Sequence, residues 1–269
     1  MPYPLPTMSE TEIISRLITG TFAKDINELF MNSSRNGHVE VVKLLLKDTR
    51  VDPSAQDNFA IKWAAKNGHT EIVKILLADS RVDPSVDNNY AIGLASSHGH
   101  TEIVKILLND PRVDPGADDN YAIGYASENG HTEVVELLLK DSRTDPATDG
   151  NYCIRWASRN GYIEVVELLL NDPRVDPGAR NNYAIGYASE NGHTKVVKRL
   201  LDSLKYRFNV AKYTEILADT DETPSEILPE IKELLINHII SYQWITKTFI
   251  NQHLTTDLVS QINHFIITN

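Results

Sequence analysis

Cysteine is nearly missing: Cys153 is the only one in 269 residues, so no internal disulfide can brace the chain. Basic residues are scarce as well. With 26 Lys and Arg against 37 Asp and Glu the formal charge is −11, which lacks the positive footprint of a nucleic-acid or anionic-membrane binder. No apolar run approaches the roughly 20 residues that span a bilayer. The opening MPYPLPTMSETEIISRLITG has neither the basic start nor the continuous apolar core of a secretion signal. These absences lead us to expect a cytoplasmic protein with no membrane anchor and a neutral or basic protein partner. At 41% hydrophobic, the chain still has ample material for a buried core.

Repetition dominates what is present. Gly37, Gly68, Gly99, Gly130, Gly161 and Gly192 sit in Asn-Gly-His-like triplets, and every step between them is 31 residues. A fixed period of this length predicts a repeat architecture. The copy from Asn120 to Gly150, NYAIGYASENGHTEVVELLLKDSRTDPATDG, reads as two helices and a loop. Asn58, Asn89, Asn120, Asn151 and Asn182 precede the first helix, where an Asn side chain can accept from the open donors of the first turn, so they are expected N-caps. Small residues such as Ala122 and Ala126 let neighbouring helices approach, and Asn129-Gly130 then turns the chain in a conformation glycine tolerates.

The second helix opens at Thr132, with Val134, Val135, Leu137, Leu138 and Leu139 covering most of its circumference and a polar stripe at Glu133, Glu136 and Lys140. Asp-x-Arg-Val-Asp-Pro segments follow at Asp48 to Pro53, Asp79 to Pro84, Asp110 to Pro115 and Asp172 to Pro177, where proline stops regular structure. One such unit buries too little apolar surface to offset the entropy of ordering it. The units must therefore stack, and the expected product is an all-α, elongated solenoid with a continuous core.

These residues resemble the ankyrin repeat, a helix, turn, helix and protruding loop usually about 33 residues long. The resemblance covers about residues 25 to 205. It is carried by the Gly-His-x-Glu-Val-Val-x-Leu-Leu-Leu block, as in Gly37 to Leu46, and by the small pair before it, Ala64-Ala65 or Ala126-Ser127. The family's Thr-Pro-Leu-His start is replaced here by Phe/Tyr-Ala/Cys-Ile-Gly/Lys/Arg, and each loop is two residues shorter than the family norm. The resemblance implies helical caps at both ends, first helices lining a concave face, and a histidine that bonds backbone and keeps repeats in register. The wording of the repeats is similar to ankyrin proteins abundant in large amoeba-infecting DNA viruses and amoebae, which implies a viral protein acting in host cytoplasm.

At the N-terminus we expect a tail and capping helix over residues 1–24: Ser9 to Glu12 has capping-box spacing ahead of Ile13, Ile14, Leu17 and Ile18. Repeats fill residues 25–205. Residues 206–269 read as a degenerate repeat and helical cap. There Tyr213 and Ala218 keep the spacing of Tyr121 and Ala126, Glu230 to Ile236 resembles Glu133 to Leu139, and Trp244 to His253 and Thr256 to Ile267 carry helical apolar spacing. Pro224 and Pro229 mark an irregular connection.

Candidate chemistry is sparse. His38, His69, His100, His131 and His193 invite a metal reading, but copies one repeat apart stand about 10 Å from each other, too far to share an ion at bonds of about 2 Å. Tyr162 at the same position is no ligand, and His98-Gly-His100 has no third partner. Asp79, Arg81 and Asp83 could be read as acid/base groups, yet hydrogen-bond ladders along the loops explain them better. Cys153 stands where other full repeats have alanine and reads as a small buried side chain. Asn32-Ser33-Ser34 matches a glycosylation sequon, irrelevant to a cytoplasmic chain. No metal or cofactor is expected, and no catalytic set is visible.

Positions that vary between uniform repeats are the better guide to a partner. Lys62, Gly93, Gly124, Arg155 and Gly186 occupy one such position. A mid-helix glycine costs about 1 kcal/mol, which suggests close approach by another backbone or a partner. The next residues are Trp63, Leu94, Tyr125, Trp156 and Tyr187, a mostly aromatic row explained equally well by packing between first helices or by a partner groove. Loop tips at Gln56-Asp57, Asp87-Asn88, Asp118-Asp119, Asp149-Gly150 and Arg180-Asn181 make a largely acidic rim. The expected partner-binding set is Lys62, Trp63, Asp87, Asp118, Asp119, Tyr125, Arg155, Trp156, Arg180 and Tyr187, residue types that often anchor interfaces. A noncatalytic, monomeric scaffold for a partner protein is the leading expectation. The alternative is a ubiquitin-ligase substrate adaptor, since Leu228-Pro229-Glu230-Ile231-Lys232 faintly resembles the F-box-like tail of some viral ankyrin proteins.

Overall fold

The computed structural model describes residues 9–18 and 25–203, together with Glu230, Glu233, Leu234 and Asn237, each helical. The described residues hold thirteen α-helices and no strand. The chain falls into two compact units, residues 1–176 and 177–269.

The first unit begins with α1 (Glu10–Ile18) and continues as five helix pairs. These are α2 (Ile26–Asn36) with α3 (Val39–Leu45), α4 (Ala55–Lys66) with α5 (Thr70–Leu77), α6 (Val86–Ser97) with α7 (Thr101–Leu108), α8 (Ala117–Glu128) with α9 (Thr132–Leu139), and α10 (Thr148–Arg159) with α11 (Ile163–Leu170). First helices pack on first helices, from α2 through α10, and second helices on second helices, from α3 through α11. Two layers result, with the core between them. The buried alanines Ala60, Ala64, Ala91, Ala95, Ala122 and Ala126 permit this approach, while Ile61, Ile92, Ile123 and Ile154 fill the interior opposite Ile72, Leu76, Ile103, Leu107, Leu138 and Leu169.

The turn between the two helices of a pair shows why the marker is glycine. Gly68 has φ 79°, in the left-handed region that L side chains avoid. It is also crowded by the next repeat: a Cβ on Gly68 would stand 2.8 Å from Cε1 of His100. Backbone conformation and inter-repeat contact therefore select the same residue. The histidine that crowds the glycine also ties the repeats together, as the resemblance implied. Nε2 of His69 donates to the Arg35 carbonyl at 2.9 Å, that of His100 to Lys66 at 2.8 Å, and that of His131 to Ser97 at 3.0 Å. Each ring nitrogen facing the neighbour is spent on a carbonyl.

On the opposite edge the Asp-x-Arg segments form the expected ladder. Arg81 grips Asp79 through Nε at 2.9 Å and an Nη at 2.6 Å, while its other Nη donates to Val51 of the preceding repeat at 3.0 Å. Arg112, Arg143 and Arg174 repeat the arrangement onto Val82, Val113 and Thr144. The bond from each arginine holds its aspartate below the usual carboxylate range at Asp79, Asp110, Asp141 and Asp172, and Arg50 takes Asp48 down to about 2.

The N-terminal helix is seated by its first residues. Ser9 Oγ accepts from the backbone of Glu12 at 3.3 Å, one half of the expected capping box. Oε1 of Glu10 accepts from Glu40 at 2.7 Å and Val41 at 3.4 Å, so α1 supplies a carboxylate to the open donors of α3.

The second unit contains α12 (Ala179–Glu190) and α13 (Thr194–Ser203), joined through Gly192 at φ 73° and packed on each other through residues that include Ala184, Ala188, Val197 and Leu200. The expected tail at the N-terminus, the degenerate repeat with Tyr213 and Ala218, the connection at Pro224 and Pro229, the segment Leu228 to Lys232 apart from Glu230, and the helices over 244–253 and 256–267 lie outside the described residues. Among the described residues no helix is long and apolar enough to cross a membrane.

Candidate protein-binding face

Each first helix after α2 is entered through left-handed backbone. Gln56, Asp57 and Asn58 have φ of 53°, 53° and 55°, and Asp87 to Asn89, Asp118 to Asn120 and Asp149 to Asn151 repeat the triplet. This conformation costs most residues roughly 1–2 kcal/mol, and Asn, Asp and Gly bear it most easily. The polar, largely acidic composition of the tips therefore has a backbone cause in addition to any role toward a partner.

The conserved-length spacing of Asn58, Asn89, Asn120 and Asn151 has a different use from the expected one. None caps its own helix. Their Oδ1 atoms accept from the backbone of Asp83, Asp114, Asp145 and Asp176, at 2.9, 2.8, 2.6 and 2.7 Å, each 25 residues downstream in the next repeat's loop. Asn27 does the same for Asp52 at 2.8 Å, while the cap of α2 is Asp25. The N-cap expectation is corrected for a physical reason: left-handed backbone turns the amide away from the first turn of its helix and toward the neighbouring repeat.

Two of the variable residues are drawn inward by these tips. Lys62 is 9% exposed and its ammonium pairs with the Asp87 carboxylate one repeat on. Arg155 is 6% exposed; its Nε donates to Gly150 at 3.0 Å and an Nη to Asp149 at 2.8 Å, both backbone carbonyls of its own entry turn. At the same position Gly93 serves packing within the chain. A Cβ on Gly93 would lie 2.6 Å from the ring of Tyr121, so that glycine seats the next repeat's tyrosine, not a foreign backbone or a partner as its sequence suggested. Where Lys62 replaces the glycine, the following Tyr90 is left 41% exposed.

The aromatic row is wider than the sequence revealed. A second column, Phe59, Tyr90, Tyr121, Tyr152 and Tyr183, stands four residues before the first, on the same helix face. The rings join into one run across α6, α8 and α10. Centroids of Tyr90 and Tyr121 are 6.2 Å apart, Tyr121 and Tyr125 4.2 Å, Tyr125 and Tyr152 6.3 Å, and Tyr152 and Trp156 5.5 Å. Inter-repeat packing and outward presentation coexist here: Tyr121, Tyr152 and Trp156 are half-buried, whereas Tyr90 and Tyr125 are exposed. The Tyr152 hydroxyl donates to Glu128 at 2.6 Å, and burial together with that carboxylate pushes its pKa up.

Trp63 stands apart from this run, tilted against Phe59 at 5.4 Å with the Arg35 guanidinium 4.8 Å and the Lys66 ammonium 4.6 Å from its ring. Arg159 lies 4.6 Å from the Trp156 ring. Of the other expected residues, Leu94 is buried, and Asp87, Asp118 and Asp119 are exposed at the tips. In the second unit Arg180 is exposed at φ 50° and the Tyr187 ring lies tilted against Tyr183 at 5.6 Å. Sequence reading missed Arg35, Lys66 and Arg159, although a cation at the end of a first helix, three residues past a tryptophan, is a visible signal at Lys66 and Arg159.

Nothing in this arrangement is poised for nucleophilic chemistry. Cys153 is buried in the alanine position and desolvation pushes its thiol up to about 12. Among the described residues no three His, Cys, Asp or Glu side chains converge as a metal site. In comparison with known families, a model described as ankyrin repeats (three copies) matches residues 8–88, 30–121, 61–152 and 92–181, and the last three of these matches begin one repeat apart. No curated protein matches the chain.

Proposed function

The chain belongs to the ankyrin-repeat family of protein interaction modules, and from that premise we propose that it is a noncatalytic, monomeric scaffold that holds a partner protein against its first helices and loop tips. The observation that carries this reading is the continuous aromatic run from Tyr90 to Trp156, with Tyr90 and Tyr125 exposed beside the acidic tips Asp118 and Asp119. Tyrosine and tryptophan bring large apolar area at little entropic cost, and a rim of opposite charge orients the partner. Proteins with a basic edge and an apolar or extended insert fit best; nucleic acid and membranes do not.

The test is affinity capture with the full chain, compared with Trp63→Ala and Trp156→Ala variants whose helicity is intact by circular dichroism. Loss of a captured partner supports the assignment, and unchanged capture removes it. The adaptor reading rests on Leu228 to Lys232 alone, a segment of which only Glu230 is among the described residues. Deleting residues 224–269 and following turnover of the partner separates it from plain scaffolding. The wording of the repeats favours a viral or amoebal source and action in host cytoplasm.

A further inference from the structure

In a chain carrying 37 acidic and 26 basic residues, two neighbouring cations without a carboxylate are conspicuous. Arg35 and Lys66 end the first helices α2 and α4, and both lie within 5 Å of the Trp63 ring, at 4.8 and 4.6 Å. Among the described residues neither takes part in an ion pair, although Lys62 beside them is paired with Asp87. Their relative position is held by the backbone. The Arg35 carbonyl accepts from Nδ2 of Asn67 at 2.8 Å and from Nε2 of His69 at 2.9 Å, so the end of α2 is clamped to the turn that follows Lys66.

The equivalent place three repeats along is built differently. Trp156 has Arg159 against its ring at 4.6 Å, but Glu128 occupies the position of Arg35 and accepts from the Tyr152 hydroxyl at 2.6 Å. That site is balanced within the chain. The Trp63 site keeps two positive charges on an aromatic platform, and among the described residues no carboxylate pairs with either.

We propose that Arg35, Lys66 and Trp63 form an anchoring subsite for an acidic side chain of an extended partner segment, with the rest of that segment running along the aromatic face. The inference rests on the groove reading above and sharpens it. A carboxylate placed between guanidinium and ammonium gains charge-assisted bonds to both, while the adjoining apolar stem covers the indole. The exposed Asp118 and Asp119 lie at the tips of a later repeat, so the segment that fits is bipolar, acidic where it meets α2 and α4 and basic toward the rim of α8. Net charge makes the subsite selective: an acidic segment is repelled by the chain as a whole and is held only where this pair stands.

Three fluorescein-labelled peptides of equal length serve as probes, alternating glutamate, lysine or serine with threonine around one central leucine. They are titrated against the full chain by anisotropy. We expect the glutamate peptide to bind at least about tenfold more tightly than the serine peptide, with an affinity that falls as salt rises. Arg35→Glu with Lys66→Glu should abolish that preference. Lys74→Glu with Lys105→Glu, the same charge change on the outer helices, should leave most of it in place. Equal binding of glutamate and serine peptides, or equal losses in the two double variants, overturns the subsite. If capture of a partner still depends on Trp63 and Trp156 in that case, the scaffold reading survives without it; if capture ignores both tryptophans, the groove itself is refuted.

Discussion

Thr144 offers the sharpest test of how the repeats hold together. It occupies the loop position that is Val51, Val82, Val113 and Val175 elsewhere, and it is 0% exposed. Its backbone is fully used: the amide donates to Asp141 at 3.1 Å and the carbonyl accepts from Arg174 at 2.6 Å. Its hydroxyl has no partner. An unpaired buried hydroxyl costs about 1–3 kcal/mol of desolvation, and valine replaces it with a methyl of nearly the same volume that the neighbouring repeats already accommodate. Thr144→Val is therefore expected to stabilise the chain by about 1–3 kcal/mol, raising the thermal midpoint by roughly 2–4 °C for each kcal/mol. Urea unfolding of the full chain measures it, through a shifted midpoint at unchanged slope. The reverse change, Val113→Thr, should lose a similar amount. A neutral or destabilised Thr144→Val, or a costless Val113→Thr, would refute the claim that this hydroxyl is buried without compensation.

Other consequences follow from the same geometry. Gly68→Ala combines left-handed backbone with a contact at 2.8 Å from His100, so a loss of about 2 kcal/mol or more is expected in denaturant titration, and a loss below about 0.5 kcal/mol would contradict the double constraint. Asn89→Ser keeps a good capping residue but is too short to reach Asp114; a cost of about 1–3 kcal/mol supports the inter-repeat role, and a silent change returns the capping one. The arginine-held aspartates Asp48, Asp79, Asp110, Asp141 and Asp172 have depressed pKa values in the folded chain, so their contribution is present above the ordinary value near 4 and is lost as pH falls below it, toward about 2 for Asp48. Unfolding free energy should accordingly fall between about pH 4 and 2, less steeply when Asp79 and Asp110 are changed to asparagine. An unchanged slope would count against the ladder.

Much of this was readable from residues alone. A strict period leaves little freedom: the glycine at each marker, the apolar second helix and the Asp-x-Arg loop are set by local conformation and by the need to bury one face, and the turn at Gly68 and the fork from Arg81 to Asp79 follow. What the period could not reveal was which neighbour each polar group would choose. Asn89 looks like a cap because it precedes a helix; left-handed φ at 61° sends its amide instead to Asp114 in the next repeat. Gly93 suggests a visitor, and the visitor is the chain's own Tyr121. Lys62 and Arg155 look like surface cations, yet the entry turns supply carboxylate and carbonyl partners that bury them. Local sequence determined the repeating unit because helix, turn and loop are decided within a few residues. Only stacking determined which side chains remain available, because residues 25 or more apart in the chain become neighbours when one unit lies against the next.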